Sequence, residues 1–89
     1  MKAALAIGPV AVAVNANQDA FMDYDGGIVT VNQCEGSRYD LDHAILAVGW
    51  GTDRYGEHLI VKNSWGSGWG ESGYIRLQMK ENDGACGVL

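Results

Sequence analysis

Apolar residues along this chain fall in short runs separated by glycine, asparagine and aspartate, not at helical spacing. Runs of β-branched and aliphatic residues bounded by turn formers predict strands. Residues 10–14 (VAVAV), 28–31, 42–51 (DHAILAVGWG), 58–63 and 74–79 fit that description. The run at 42–51 is apolar on both faces, as in a strand covered on two sides. Two stretches read differently. Residues 1–7 are rich in Ala and Leu and predict the end of a helix, stopped by Gly8-Pro9. Residues 16–24 predict a short helix capped by Asn17, with Phe21 and Tyr24 on one face. Turns fall at Gly26-Gly27 and 52–56, and residues 32–41 and 81–87 read as irregular. The sum is a mainly β domain: a small, mostly antiparallel, barrel-like sheet with little helix.

Length and charge narrow the picture. Eighty-nine residues allow one small domain, and 47% hydrophobic content is enough to give it a core. The net charge of -5 and the scatter of Lys and Arg argue against a nucleic-acid partner. No apolar stretch is long enough to span a bilayer, because Gly8 and Pro9 interrupt residues 3–14. Cys34 and Cys86 are either two buried thiols or one disulfide closing a long loop. With His43 and His58 they lack the close ligand pairs of a zinc site, so no metal is expected.

The stretch 58–77 (HLIVKNSWGSGWGESGYIRL) sets two tryptophans among glycines just after Asn63. Alone, His43 is more often structural than catalytic, Asn63 is an ordinary turn residue, and Ser64 lacks a nucleophile-elbow setting. His58 has no chemical partner nearby in sequence and is expected at the surface. Together, His43 and Asn63 say more. If the strand that begins at His43 and the one that ends at Asn63 are antiparallel neighbours, the two residues meet at one sheet edge. The Asn63 amide oxygen would accept the imidazole N–H, and Trp65 would roof the bond and keep water away. An oriented base of this kind serves an activated nucleophile.

The segments GPVAVAV, AFMDYDGGIV, LDHAILAVGWG, VKNSWGSGWGESGYIRL and CGVL, in this order, resemble the papain and cathepsin L family of cysteine peptidases. The resemblance implies the C-terminal, β-barrel half of such an enzyme over residues 1–89, cut from an α+β parent fold. It implies His43 as the catalytic histidine, Asn63 as the residue that orients it, and Trp65 as the covering indole on the leaving-group side. Ala13, Leu41 and Ala44 match the pocket for the second substrate side chain before the scissile bond. The Asp42 carbonyl matches one that holds the substrate main chain. Cys34 and Cys86 match a family disulfide. The helical half with the nucleophilic cysteine and the oxyanion-hole glutamine has no counterpart in this sequence. The expected partners are that half, a peptide or protein substrate, and a cystatin-type inhibitor or propeptide; no cofactor is implied. Self-association through the uncovered cleft is expected, and the implied setting is a lysosome-like vacuole or the extracellular space. The alternative is a non-catalytic binding module that kept the barrel.

Overall fold

The computed structural model describes residues 2–34, 41–54, 56–79 and 84–88. Five strands form one sheet: β1 (Val10–Val14), β2 (Ile28–Val29), β3 (His43–Asp53), β4 (Gly56–Lys62) and β5 (Tyr74–Gln78). Their order is β1-β3-β4-β5-β2. The β1–β3, β3–β4 and β4–β5 pairs are antiparallel, as the alternating runs predict, but β2 lies parallel to β5. That parallel pair is only two residues long, so its sequence carries no signal of direction. Two short helices complete the set, α1 (Lys2–Ile7) and α2 (Asp19–Met22). A 3₁₀ turn covers Ala85–Gly87, inside the stretch read as irregular. Residues 35–40 and 81–83 of the two expected irregular segments, and Tyr55 of the expected β3–β4 turn, lie outside the described residues.

The helix expected over residues 16–24 is shorter than its sequence suggests, and Asn17 does not cap it. Gln18 stands at the cap instead, with the extended backbone (φ -146°, ψ 146°) usual for that position, and its carbonyl accepts the Phe21 and Met22 N–H groups at 3.1 and 2.9 Å.

One face of the strands builds the core. Val12 and Val14, Ile45 and Ala47, Leu59 and Val61, and Ile75 and Leu77 are all buried, each pair on one strand at the two-residue spacing of a single sheet face. Phe21 of α2 and the Cys34–Cys86 disulfide close that core. The other face of β3 is apolar too, yet Leu46, Val48 and Trp50 are 37–40% exposed. A register shift between Ala47 and Gly49 kinks β3 against β4. Beyond it His58, expected at the surface, is only 6% exposed. It lies against bare Gly51 backbone: a Cβ there would stand 2.8 Å from Nε2. The missing side chain at position 51 is what lets the imidazole in, a cross-strand effect invisible at position 58 alone.

The disulfide spans 52 positions, with Cα atoms 4.7 Å apart. Backbone bonds reinforce it: Cys86 N–H donates to the Cys34 carbonyl at 2.7 Å, and Asn15 N–H to the Cys86 carbonyl at 2.8 Å. A loop of that length corresponds to about 4 kcal/mol in the chain-entropy model. Reduction of the chain should therefore lower its urea unfolding midpoint by the equivalent of about 2–5 kcal/mol. Far-UV circular dichroism with and without reductant measures the shift, and coincident curves would refute it.

Candidate active site

β1 and β3 bring His43 opposite Val14, and the Asp42 N–H donates to the Val14 carbonyl at 3.0 Å. This bond and the Asp42 carboxylate on Ala16 fix the backbone on the N-terminal side of the imidazole. Asn63 follows the last residue of β4, where the chain leaves the sheet for the glycine-rich loop 64–73. Its N–H donates to the Gly73 carbonyl at 3.0 Å, closing the loop at its base. The loop turns sharply at Gly70 (φ +59°), where a Cβ would stand 2.7 Å from the Tyr74 carbonyl oxygen and 2.8 Å from the Tyr24 ring. Glycine is required there by both conformation and space.

His43 Nε2 lies 2.7 Å from Asn63 Oδ1. The same oxygen accepts the Ser64 N–H at 2.8 Å. A backbone N–H can only donate, so the atom between the two groups is the amide oxygen, and His43 must supply its proton from Nε2. The ring tautomer follows from a main-chain donor, and Nδ1 is the nitrogen left to exchange a proton with a reactant. Asn63 is 5% exposed, and its Nδ2 is buried with no partner among the described residues.

Aromatic rings surround the bond. Trp65 stacks on the imidazole with centroids 5.1 Å apart and planes 27° apart, and is itself 43% exposed. Phe21 meets His43 edge-on at 6.1 Å and Trp65 edge-on at 5.3 Å. Contacts of this kind contribute about 0.5–1.5 kcal/mol each beyond area burial. They also lower the local dielectric, which strengthens the hydrogen bond they cover. Two clefts flank the pair. One, of about 280 Å³, is lined by Ala16, Asn17, Met22, Asp42, His43 and Trp65. The other, of about 420 Å³, is lined by Ala11, Ala44, Ile45, Leu46, Lys62, Asn63 and Ser64.

The sequence-derived residues sort accordingly. His43, Asn63 and Trp65 come together. Ala44 lines the larger cleft, with Ala13 as its cross-strand partner. Asp42 lines the smaller one, and Leu41, half-buried, lines neither. Cys34 and Cys86 are bonded to one another, so neither offers a thiolate. Among the described residues no group of His, Cys, Asp or Glu is placed to hold a metal ion. No helix among them is long and apolar enough to cross a membrane.

Two features escaped the sequence reading. Phe21 was seen only as one face of a short helix, yet it touches both rings of the site. Glu71 forms a two-point pair with Arg76, at 2.8 Å from both Nε and Nη2, and accepts the Gly27 N–H at 3.1 Å. Next to it Tyr24 donates to the Gly27 carbonyl at 2.6 Å, and burial, followed by the Glu71 charge, pushes its phenol up to about 12. Opposite charges five positions apart across a glycine turn were the available signal.

These features agree with known proteins. A family model described as "Papain family cysteine protease" matches residues 1–89. "Cathepsin L" of Sarcophaga peregrina is 42% identical over 88 residues, covering 98% of this chain and 25% of that protein. "Cathepsin L-like" of Caenorhabditis elegans is 46% identical over 82 residues, covering 91% of this chain and 23% of that one. The crystal structure of the Carica candamarcensis cysteine protease CMS1MS2, solved in complex with E-64, superposes with a TM-score of 0.82 at 47% identity, covering 99% of this chain and 38% of that one. The chain belongs to the papain family of cysteine proteases. It spans about a quarter of the length of the curated relatives it matches.

The hydrogen bonds from Arg76 hold the Glu71 carboxyl below its usual 4.5. A depressed carboxylate adds stability that is complete above its unfolded value and is lost as the pH falls through the folded one. The stability difference between wild type and Glu71→Gln should hold steady above about pH 4.5 and shrink below it. Urea midpoints across that range measure it. A difference that grows on acidification would contradict the pairing.

Proposed function

We propose that this chain is the C-terminal half of a papain-like cysteine endopeptidase, supplying the general acid–base His43 and its orienting residue Asn63, and inactive alone. The observation that carries the reading is the 2.7 Å contact between His43 Nε2 and Asn63 Oδ1 under the Trp65 ring, in a chain of this family. The nucleophile comes from a helical partner half. Its thiolate attacks the peptide carbonyl carbon while His43 carries the proton on Nδ1. That proton passes to the departing amine, leaving a thioester. His43, now neutral, takes a proton from water, whose oxygen attacks the acyl carbon, and the thiolate leaves. Asn63 keeps the ring in place through both proton transfers, and Trp65 excludes water from the bond between them.

The same reading gives the exposed face of β3 its role. Leu46, Val48 and Trp50 are exposed, and the neighbouring cleft is lined by Ala44, Leu46 and Asn63. The helical half covers this face. Substrate side chains lodge by Ala13, Leu41 and Ala44, and the Asp42 carbonyl holds the substrate main chain. A cystatin-type inhibitor or the enzyme's own propeptide occupies the same cleft. The parent enzyme works in a lysosome-like vacuole or outside the cell, where a disulfide such as Cys34–Cys86 persists.

The purified chain should not hydrolyse a fluorogenic dipeptide amide, with or without thiol. Refolded together with the cysteine-bearing half of a close relative, it should gain thiol-dependent turnover, and Asn63→Ala should lower that turnover by about 10²-fold, the scale of a misplaced catalytic group. Thiol-dependent turnover by the repurified chain alone would sink the reading, as would recombination that forms a complex but no activity. Exposed apolar patches favour association. Sedimentation at millimolar loading should thus show dimers that disappear when the helical half is added; a clean monomer would count against the docking face.

A further inference from the structure

We propose that Met22 makes one side of the cleft redox-responsive: oxidation of its thioether to the sulfoxide turns an apolar wall polar and weakens the hold on an apolar residue just after the scissile bond, and reduction restores it. The proposal rests on the reading of His43 as proton donor to the departing amine. Two clefts flank the imidazole. The larger is lined by Ala44 and Asn63, on the side where the substrate side chains lodge. The amine must stand by the ring that protonates it, so it leaves through the other cleft. His43 and Trp65 share that cleft, of about 280 Å³, with Met22. Met22 is 48% exposed there. Its backbone is anchored: the N–H donates to the Gln18 carbonyl at 2.9 Å, and the carbonyl accepts the Trp69 Nε1–H at 3.3 Å. The thioether is thus presented to the cleft by a residue held at both ends of its peptide unit.

Little else in the chain competes for an oxidant. Its two cysteines are joined to each other, so they offer no thiol. Of its three methionines, Met79 is half-buried against the core and Met1 lies outside the described residues. The oxidant is hydrogen peroxide. The sulfur lone pair attacks one peroxide oxygen, an S–O bond forms and the O–O bond breaks. The second oxygen leaves as water with both protons. Sulfur gives up two electrons and peroxide takes them. A sulfoxide reductase returns two electrons from a dithiol and releases the oxygen as water. Oxidation replaces a soft, adaptable apolar side chain with a polar one that accepts hydrogen bonds. An apolar substrate residue entering the cleft must then strip water from the sulfoxide oxygen and gives no bond in return.

The test oxidises the 89-residue chain before recombination, which spares the nucleophilic thiol of the other half. Dilute hydrogen peroxide should convert Met22 several-fold faster than Met79, as mapped by mass spectrometry. After recombination with the cysteine-bearing half of a close relative, kcat/KM for a peptide with Leu just after the scissile bond should fall about tenfold, the scale of one partly buried leucine side chain. The same peptide with Gly there should lose less than about twofold, because it buries no side chain. Sulfoxide reductase should return the Leu peptide to its starting value. Met22→Leu has no sulfur at this position, so peroxide should not change its kcat/KM. Equal losses on the two peptides would overturn the proposal, and so would the same loss in Met22→Leu. If peroxide unfolds the chain, Met22→Gln must show the Leu-selective loss without oxidant. A second readout needs no partner half: the ring resonances of His43 and Trp65 in the chain alone should move on oxidation of wild type and stay in place in Met22→Leu. Recombination without turnover would sink the peptidase reading, and the ring resonances would still decide whether the site senses Met22.

Discussion

The carboxamide oxygen of Asn63 accepts from two donors, the Ser64 main chain and the His43 ring. The first donor has no freedom of chemistry, and this decides the second. With the amide turned the other way, two N–H groups would face its NH₂. The loop that follows β4 thus dictates which nitrogen of the imidazole holds the proton, and sequence neighbours set the protonation geometry of a residue twenty positions away. Solvent at this bond would compete for both partners. The rings of Trp65 and Phe21 keep most of it out, although Trp65 shows its outer face to water.

The fold explains how so small a chain holds this arrangement. The strand pairs β1–β3 and β3–β4 set the ends of His43 and Asn63 side by side. The loop returning to β5 is closed by Asn63 to Gly73 and latched by Glu71 on Gly27 and Arg76. The Cys34–Cys86 bridge fastens the far side of the core, close to where Asn15 leaves β1. What these restraints leave uncovered is apolar: the outer face of β3 and the cleft against Asn63.

Much of this was legible in the residues. Runs such as VAVAV and HAILAV mark strands because β-branched and aliphatic side chains suit a pleated surface, and the strand boundaries agree with the structure to within two residues at most ends. The pairing of His43 with Asn63 followed from asking where two strand ends meet. The disulfide did not: spacing left thiols and bridge equally open, and only the family resemblance separated them. His58 is buried because a glycine on the neighbouring strand leaves room for its ring. Phe21 was seen as a member of a local pattern, and its part in the site depends on a contact spanning 22 positions. What stayed illegible is long-range in each case, and local periodicity carries no record of it.

The most direct measurement is the tautomer of the His43 ring, read from long-range ¹H–¹⁵N correlations of the folded chain at neutral pH. The account predicts a proton on Nε2, bound to the Asn63 carbonyl oxygen and shielded enough to be seen in water. A ring protonated on Nδ1, or one averaging freely between the two forms, would contradict it.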